Sequence, residues 1–481
     1  MKAITRFAPS PTGYIHIGNV RSAIYPYLVA KQSGGKMILR IEDTDQARFV
    51  EGATELIEDT LTWLGLDWDE GPEKGGDHGP YFQTERKEIY LAWAKKLIAS
   101  GRAYADPTTP DELDKKRQEC YNNKIPFLYR NFRPENPPEW QPGLALRFKA
   151  EPKEYDYHDE VFGDLHVGPE TQDDIILIKK DGLPTYNFAH IVDDAEMGVT
   201  HVMRGQEYLS SMGNYLALYE AFGLARPIFV HLPHILAPSG NKKLGKRDGA
   251  KSVTEYRADG ILPETMLNYL AMLGWNEGDG SEQEIYSKDE LIKKFSLSHI
   301  QKSGARYDET KLLWLNGQWI RKIVAEQGID ALYARTEDFW PEIAANASED
   351  YKKKVLSIIY DRLKTLSDLR DMTGYFFADP EIDMSLIKNN KFLKNFSESE
   401  LENLLKTAIQ DLSALENWTE NSLQETLNAL LEKTAKKPAE FFSLIRLALS
   451  FAPFSPALNL TMSVLGRETV LARLNAVVRA I

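Results

Sequence analysis

The chain has 481 residues, of which 43% are hydrophobic, and its formal net charge is −13. This length predicts two to four globular domains, each with a core of its own. The acidic balance argues against a protein that binds nucleic acid over its whole surface, because phosphate binding depends on lysine and arginine; a local basic track is still compatible with it.

A single cysteine, Cys120, excludes an intramolecular disulfide and any zinc site built from several cysteines. No apolar run approaches the roughly 18 residues that a membrane-spanning helix needs, and the N-terminus lacks the pattern of a signal peptide. We therefore expect a protein of the reducing cytoplasm, with no membrane partner and no structural zinc.

The N-terminal segment predicts a β-strand, a turn, an α-helix and a second strand. "MKAITRFA" is typical of a strand, which Pro9 and Pro11 end. "VRSAIYPYLVAKQSG" has apolar residues at helical spacing, and Gly34 and Gly35 supply its end. "KMILRIED" predicts the second strand. This βαβ order indicates an α/β fold with a parallel sheet of Rossmann type.

The predicted secondary structure then changes twice along the sequence. Between 81 and 190 a helical segment, a proline-rich passage and strand-like pieces, among them "LALRFKA" and "DDIILIKKDGLPTYNF", indicate a domain inserted into the sheet. "GVTHVMRGQEYL" and "RPIFVHLPHIL" resume the sheet. From 325 to 481 nearly every segment predicts a helix, and Ser397 and Glu400 form a capping box before one of them.

The stretch "RFAPSPTGYIHIGN" stands at the first strand-to-helix turn. Glycine there lets the backbone approach a phosphate, and the start of the helix offers free N–H groups and a positive dipole end. His16, two residues before Gly18, is placed to donate to a phosphate oxygen as negative charge develops. Taken alone, the motif favours a core histidine near a structural turn over a phosphate contact.

A second motif, "NKKLGKRDG", sets Lys243 and Lys246 three residues apart around Gly245. The segment has one apolar residue, Leu244, so it can form a mobile loop. Lysine ammonium groups delivered by such a loop can neutralise a triphosphate as it reacts. A solvated run of charges is the plainer interpretation of this segment by itself.

Together the two motifs resemble the signatures of class I aminoacyl-tRNA synthetases: "HIGN" is similar to HIGH and "KLGKR" to KMSKS. Within that class, "RFAPSPTGYIHIG", "RIEDTD", "HGPYFQTER" and "DGLPTYNFAHIVDD" resemble the bacterial glutamyl-tRNA synthetases. "AKKPAEFFSLIRLAL" and "GRETVLARL" extend the resemblance to the helical C-terminal region. Glutaminyl relatives differ at "APSPTG" and "EDTD" and end in β-barrels, for which this tail offers no strands.

The resemblance implies a set of residues for ATP. His16, Lys243 and Lys246 are expected to stabilise the adenylation transition state, with Mg²⁺ helping to hold the pyrophosphate. The expected ATP contacts are Ala8, His16, Gly18, Glu207, Lys243 and Lys246. Since the α-carboxylate of glutamate is already a nucleophile at neutral pH, the chemistry needs positioning and charge stabilisation rather than a general base.

The resemblance also implies a glutamate pocket. Arg6 and Arg204 are the candidates for the two carboxylates of glutamate, because a guanidinium pairs well with a carboxylate. Glu42 would receive the α-amino group, and Ser10 and Tyr186 would add hydrogen bonds. Glutamine is nearly isosteric with glutamate, so its rejection must come from charge: an arginine facing a neutral amide loses its counter-ion.

Three positions depart from the family pattern. Asn19 replaces the last histidine of HIGH, and Gly245 stands where a serine is common, which removes a hydroxyl. His190 stands where an asparagine is usual, in the expected glutamate pocket, and could change the polarity of the pocket or its response to pH.

For tRNA, the resemblance implies that the inserted domain meets the acceptor stem and that the helical domain reads the anticodon. The expected boundaries are 1–80 and 191–255 for the Rossmann-type catalytic domain, 81–190 for the inserted domain, 256–324 for a helical stem-contact domain and 325–481 for the anticodon-binding domain. Arg362 is a candidate contact for an anticodon base.

The function implied is a monomeric glutamate–tRNA ligase, and the sequence leaves open whether tRNA for glutamine is charged as well as tRNA for glutamate. Three other functions share part of these sequence features. A shortened paralogue that glutamylates a modified tRNA base ordinarily lacks the helical domain. A small-molecule nucleotidyltransferase would not need that domain. The third, an inactive tRNA-binding protein, would not need the catalytic residues, but this chain has His16, Glu42, Lys243 and Lys246 together.

Overall fold

A computed structural model describes residues 1–13, 15–245, 248–249, 251–278, 280–452 and 455–481. The chain folds into two compact units. The first unit comprises residues 1–256 and 263–309, and the second comprises 257–262 and 310–481.

The strands all lie before residue 307 in the described part of the chain. They are β1 (Ile4–Phe7), β2 (Lys36–Leu39), β3 (Ala103–Asp106), β4 (Ala145–Phe148), β5 (Tyr155–Asp159), β6 (Gly163–Val167), β7 (Ile176–Ile178), β8 (His201–Gly205), β9 (Ile228–Leu232), β10 (Ile235–Leu236) and β11 (Ala305–Arg306).

Helices occur along the whole chain. Those that begin before Glu309 are α1 (Ile17–Ser33), α2 (Ala53–Trp63), α3 (Lys87–Ala99), α4 (Pro110–Asn122), α5 (Tyr186–Glu196), α6 (Met212–Ala221), α7 (Val253–Ala258), α8 (Pro263–Met272) and α9 (Lys288–Lys294). The later ones are α10 (Glu309–Gln327), α11 (Ile329–Tyr333), α12 (Glu349–Ile359), α13 (Asp368–Phe377), α14 (Met384–Lys388), α15 (Glu398–Ser413), α16 (Glu420–Thr434), α17 (Pro438–Ser450), α18 (Leu458–Leu465) and α19 (Arg467–Ala480).

The predicted βαβ unit is confirmed. β1 and β2 pair in parallel, with Ile4 opposite Lys36 and Phe7 opposite Leu39. α1 connects them and is followed by Gly34, whose φ of 64° is the left-handed conformation that glycine adopts without a Cβ penalty. Ala23, Ile24 and Leu28 of α1 are fully buried, because the helix is covered on one side by the sheet and on the other by α8 and α9.

Parallel pairing continues between β8 and β9, and β8 starts beside β1, where the Thr200 amide donates to the Ile4 carbonyl. The carboxyl ends of β1 and β8 therefore lie at the same edge, the usual ligand site of an open α/β sheet. β5 also joins this sheet through a parallel pairing of Asp159 with Phe229 of β9. β3, β4 and β7 form a separate three-stranded sheet.

One sequence expectation was wrong in part. "DDIILIKKDGLPTYNF" was expected to be strand-like, but its strand is only β7, and its last residues begin α5 at Tyr186. Phe188 is fully buried within that helix, so packing outweighs the β-preference of the aromatic residues.

In the second unit the predicted helices are confirmed, and so is the capping box at the start of α15, where Ser397 and Glu400 satisfy each other's backbone amides. Leucines of α15 and α16, such as Leu405 and Leu427, pack into one apolar core with α17 and α19. The division of the chain into the four expected domains stays a prediction. Among the helices described, none is both long and apolar enough to cross a membrane.

Candidate active site

A cleft opens where β1 is followed by α1. His16 is the N-terminal cap residue of α1, in extended conformation, so the first N–H groups of the helix point into this region. The lining residues come from the start of α1, the ends of β8 and β9, and the segment after β10; they are His16, Ile17, Gly18, Asn19, Arg21, Ser22, Gly205, Glu207, Leu232, Pro233, His234, Ile235, Lys243, Leu244 and Gly245.

The lysine-bearing segment begins and returns at this cleft. Lys243 forms an antiparallel bridge with Leu236, and its Nζ lies 3.4 Å from Oε1 of Glu207. Further along, Ser252 forms an antiparallel bridge with His16. The segment is thus anchored on both sides of the cleft. Lys246 lies outside the described residues.

Two glycines of the cleft have room for a side chain. A Cβ added at Gly18 would meet no atom within 4 Å, so packing of the protein itself does not demand glycine there. At Gly245 an added Cβ would lie 3.6 Å from the Asp248 carboxylate, an ordinary van der Waals contact. The glycine at 245, which departs from the family pattern, is therefore not required by the backbone or by space.

A cluster of buried charges lies at the ends of β1 and β2. Nη1 of Arg40 is 2.7 Å from Oδ1 of Asp194, and its Nη2 is 3.1 Å from Oε1 of Glu42. Nε of Arg6 is 3.1 Å from the same Asp194 oxygen, and Nη1 of Arg6 donates to the Met203 carbonyl. Although burial opposes it, the charges of Arg6 and Arg40 hold the pKa of Asp194 well below its usual range. Burial raises the pKa of Glu42.

The buried guanidinium of Arg204 has other partners than those of Arg6 and Arg40. Its Nε donates to Nε2 of His231 over 3.1 Å, and Nη1 lies 3.1 Å from Nε2 of His190. The faces of Tyr208 and Tyr215 lie 5.0 and 4.6 Å from its Cζ. Among the described residues no carboxylate forms an ion pair with Arg204, although the side chain is only 5% exposed. A buried cation without a carboxylate partner is suited to bind an anion from outside the protein.

Tyr186 and His190 stand one turn apart at the start of α5, which places them on one face. Their rings stack at a centroid distance of 4.8 Å, and Nδ1 of His190 lies 2.8 Å from the Tyr186 carbonyl oxygen. Because that carbonyl can only accept, His190 carries its proton on Nδ1. Burial and then the charge of Arg204 hold the pKa of His190 well below its ordinary value, so this imidazole is neutral.

Comparison with known proteins identifies the family. The family model for the catalytic domain of class I tRNA synthetases (E and Q) matches residues 2–314, and the model for an anticodon-binding domain matches residues 331–478. A glutamate–tRNA ligase of Dehalococcoides mccartyi is 40% identical over 98% of this chain and 96% of its own. The chain belongs to the glutamate–tRNA ligases. A relative from Clostridium botulinum is also 40% identical, over 98% of this chain and 97% of its own.

Solved structures of the family agree in fold. A glutamate–tRNA ligase from Elizabethkingia meningosepticum, in complex with its amino acid, is similar with a TM-score of 0.88 and 34% identity, covering 100% of this chain and 99% of the other. The glutamate–tRNA synthetase of Elizabethkingia anophelis gives a TM-score of 0.85 and 33% identity, with 100% of both chains covered. The α/β catalytic part and the helical C-terminal part are thus those of an aminoacyl-tRNA ligase.

The sequence-predicted residues of this ligase fall into three groups, of which the second and third are close enough to interact electrostatically. His16, Gly18, Glu207 and Lys243 line one cleft. Arg6 and Glu42 form a second group with Arg40, and Tyr186, His190 and Arg204 form a third.

Besides Lys246, which is not among the described residues, three predicted residues lie outside these groups. Ala8, half-buried, and Ser10, exposed, follow β1 without lining the cleft. Arg362 is an exposed residue of a short helical turn, Tyr360–Arg362, in the second unit.

Sequence reasoning missed several buried partners of the site. Arg40, in the phrase "RIEDTD", is one of them: it binds both Glu42 and Asp194. Arg21, one turn beyond Gly18 in α1, lines the cleft and donates to the carbonyl of Leu273. Their signal in the sequence was a charged residue within an otherwise apolar run.

Proposed function

We propose that this enzyme activates L-glutamate with ATP and transfers it to the 3′-terminal adenosine of tRNA for glutamate. A carboxylate oxygen of glutamate forms a bond to the α-phosphorus of ATP, and the bond to the bridging oxygen breaks as pyrophosphate leaves. A hydroxyl of the terminal adenosine then attacks the glutamyl carbonyl, loses its proton, and AMP departs. The observation that carries the proposal is the buried Arg204 guanidinium, which has no carboxylate partner among the described residues.

In this proposal Arg6 and Arg204 receive the two carboxylates of glutamate. Arg6 already has a counter-charge in Asp194, whereas the contacts of Arg204 with the described residues are all neutral, so Arg204 gains more from an incoming anion. Tyr186 and His190 lie on the same side of Arg204 and add hydrogen-bonding and ring surface to the pocket. Ser10, which follows β1, is proposed as a further hydrogen-bond donor.

Glu42 is proposed to receive the α-ammonium group of glutamate. It shares Arg40 with Asp194, and Oδ2 of Asp194 is a buried acceptor that no donor of the described residues satisfies. A cationic substrate group at this place would satisfy that acceptor and also offset the cost of burying Glu42.

ATP is proposed to lie in the cleft at the start of α1. His16, Lys243 and Lys246 would stabilise charge on the phosphates, and the open space at Gly18 would let the nucleotide approach the backbone. Ala8 completes the expected contacts. Glu207, as a carboxylate, suits the ribose hydroxyls rather than the phosphates, and it holds Lys243 at the edge of the cleft.

Magnesium is proposed to enter with the phosphates of ATP. Within the described residues no group of three or more histidine, cysteine, aspartate or glutamate side chains is arranged to hold a metal ion. The ion would neutralise charge on the leaving pyrophosphate. We further propose that the protein works as a monomer in the cytoplasm, which light scattering tests by comparing the mass in solution with that of one chain.

The decisive experiment is transfer of labelled glutamate to purified tRNA with ATP and Mg²⁺, performed with the wild type, Lys246→Ala and Lys242→Ala. Lys242 is the matched control, since it belongs to the same loop and forms an ion pair with Asp248. We expect Lys246→Ala to lose at least about a hundredfold in rate with unchanged tRNA affinity, and Lys242→Ala to remain near the wild type. Equal rates for all three proteins would remove Lys246 from the mechanism.

The same assay addresses the tRNA substrate. Running tRNA for glutamate and tRNA for glutamine side by side distinguishes a selective enzyme, which charges only the first, from a relaxed one, which charges both. The proposed function fails if folded protein that binds ATP charges neither. Glutamylation of a modified tRNA base or adenylation of a small molecule would then be the functions to test.

In the helical domain Arg362 is proposed to contact an anticodon base. Burial and then the charge of Arg362 lower the pKa of Arg446, so the two arginines interact electrostatically. Two neighbouring arginines would favour RNA. We expect Arg362→Gln to raise the KM for tRNA about tenfold and leave the KM for glutamate unchanged; Arg370→Gln, another exposed arginine of this unit, is the control.

A further inference from the structure

Three neighbouring strands supply a chain of buried polar groups behind Arg204. In the parallel ladder of β8 and β9, Arg204 is the partner of His231, so both side chains stand on the same face of the sheet. His231 is in turn bonded to Asp159, the last residue of β5, over 2.7 Å between Nδ1 and Oδ2. His231 and Asp159 are fully buried.

The hydrogen bonds determine where the protons of this chain lie. A guanidinium N–H can only donate. Nε2 of His231 must therefore accept the hydrogen bond from Nε of Arg204. The proton of His231 therefore lies on Nδ1 and is donated to Asp159. Burial lowers the pKa of His231 despite the opposing effect of its hydrogen bond to Asp159, which agrees with a neutral ring.

Asp159 is the last acceptor in this chain of hydrogen bonds, and several donors hold its carboxylate in place. Its Oδ1 accepts from the amides of Val161 and Phe162, each at 3.0 Å, and its Oδ2 accepts from the amide of His231 at 3.1 Å as well as from the ring. Every donor around the carboxylate is an N–H group, so its orientation is defined on both oxygens.

We propose that Asp159 and His231 are positioning residues that orient Arg204 for the anionic substrate, and that they supply its counter-charge through a neutral imidazole. A carboxylate bonded directly to Arg204 would compete with glutamate for the guanidinium. The imidazole keeps the negative charge one residue away and holds only the Nε edge of Arg204. This inference rests on the proposed role of Arg204 in binding glutamate.

His231→Asn and His231→Gln separate the two bonds of the imidazole. Glutamine places an amide oxygen near the position of Nε2 and can still accept from Arg204. Asparagine reaches the position of Nδ1, so it can still donate to Asp159 but offers no acceptor to Arg204. For His231→Asn we expect the KM for glutamate to rise at least about tenfold, with kcat and the KM for ATP within about threefold of the wild type. For His231→Gln, which keeps the acceptor for Arg204 but loses the bond to Asp159, we expect a smaller rise in the KM for glutamate, of about threefold.

Asp159→Asn tests the far end of the chain. An asparagine must turn its NH₂ group either toward the two loop amides or toward His231, and both places are occupied by N–H donors. Facing His231, it drives the ring proton to Nε2, where it opposes the N–H of Arg204. We therefore expect a rise in the KM for glutamate of the same order as in His231→Asn.

The outcomes distinguish this inference from the proposed function. If Arg204→Gln leaves the KM for glutamate unchanged, the role of Arg204 itself is wrong. If Arg204→Gln raises that KM and a folded His231→Asn does not, the positioning role is wrong. It is also wrong if the two His231 variants behave alike.

A measurement on the intact wild type keeps the test independent of variant folding. In ¹⁵N NMR of histidine-labelled protein at pH 7, with the His231 signals assigned from their loss in His231→Gln, we expect a neutral ring protonated on Nδ1. A cationic ring or an Nε2-protonated ring overturns the proposal.

Discussion

At the scale of single residues, this enzyme buries its arginines in two ways. Arg40 is fully buried and lies near three carboxylates, those of Glu42, Asp193 and Asp194. Arg204 is nearly as buried and has neutral partners among the described residues. The first arrangement compensates the charge within the protein, while the second leaves a cation without a carboxylate among the described residues, as the proposed glutamate site requires.

Glu70 shows how a buried carboxylate links stability to pH. Lys36, His78 and Tyr81 all bond to it, at 2.9, 2.8 and 2.8 Å, and it is only 2% exposed. Burial alone would raise the pKa of Glu70, but these hydrogen bonds lower it to about 2. A carboxylate with a depressed pKa stabilises the folded state above its unfolded pKa, and the stabilisation declines as the pH falls toward the folded value.

We therefore expect Glu70→Gln to lower the free energy of unfolding by about 3 kcal/mol at pH 7. The difference from the wild type should shrink by about 1 kcal/mol at pH 4, because the unfolded wild type then gains a proton that the folded one does not. Urea unfolding at the two pH values measures this. A difference of the same size at pH 4 and pH 7 would contradict the assigned pKa.

At the scale of elements, helix ends show where a residue carries a conformational cost. α1 is followed by Gly34 in the left-handed region, whereas α16 is followed by Ala435 with φ of 54° and ψ of 28°. For an alanine this conformation is unfavourable by about 1 kcal/mol, because its Cβ approaches the following carbonyl. Ala435 is exposed, so no packing offsets the cost.

Ala435→Gly is accordingly expected to raise the free energy of unfolding by about 0.5–1 kcal/mol. Ala429→Gly, at an exposed position inside the same helix, is the matched control and should lower it by a similar amount. Chemical denaturation of both variants gives the comparison. Destabilisation by both substitutions would show that the left-handed alanine carries no relievable strain.

At the scale of the whole molecule, the chain contains two units with separate cores. Leu28 of α1 is fully buried in the first unit, and Leu427 of α16 is 1% exposed in the second. Since their apolar contacts lie within their own units, damage to one core should weaken that unit first.

We expect Leu427→Ala to destabilise its own unit by about 2–5 kcal/mol and Leu28→Ala to do the same in the other unit. Hydrogen exchange followed by mass spectrometry would locate each effect: faster exchange within 310–481 for the first variant and within 1–256 for the second. A loss of protection spread evenly over the chain in either variant would indicate a single cooperative unit.

Much of the fold follows from local patterns. The spacing of apolar residues in α1 and the glycines after it predict β1, α1 and β2, and the pair Ser397 and Glu400 predicts the start of α15. These features depend on residues within a few positions of one another. The helix at Tyr186 was missed because its aromatic residues favour strands locally, and burial of Phe188 decided otherwise.

The sequence by itself determined the family and the residues that its motifs carry, His16 and Lys243 among them, since each motif is a short contiguous phrase. Only the tertiary structure decided that Arg204 is held by His231, 27 positions away, and His231 by Asp159, 72 positions away. Such contacts have no local signal. They arise because parallel strands bring distant segments side by side, and the low-dielectric interior then requires each buried polar group to find a partner.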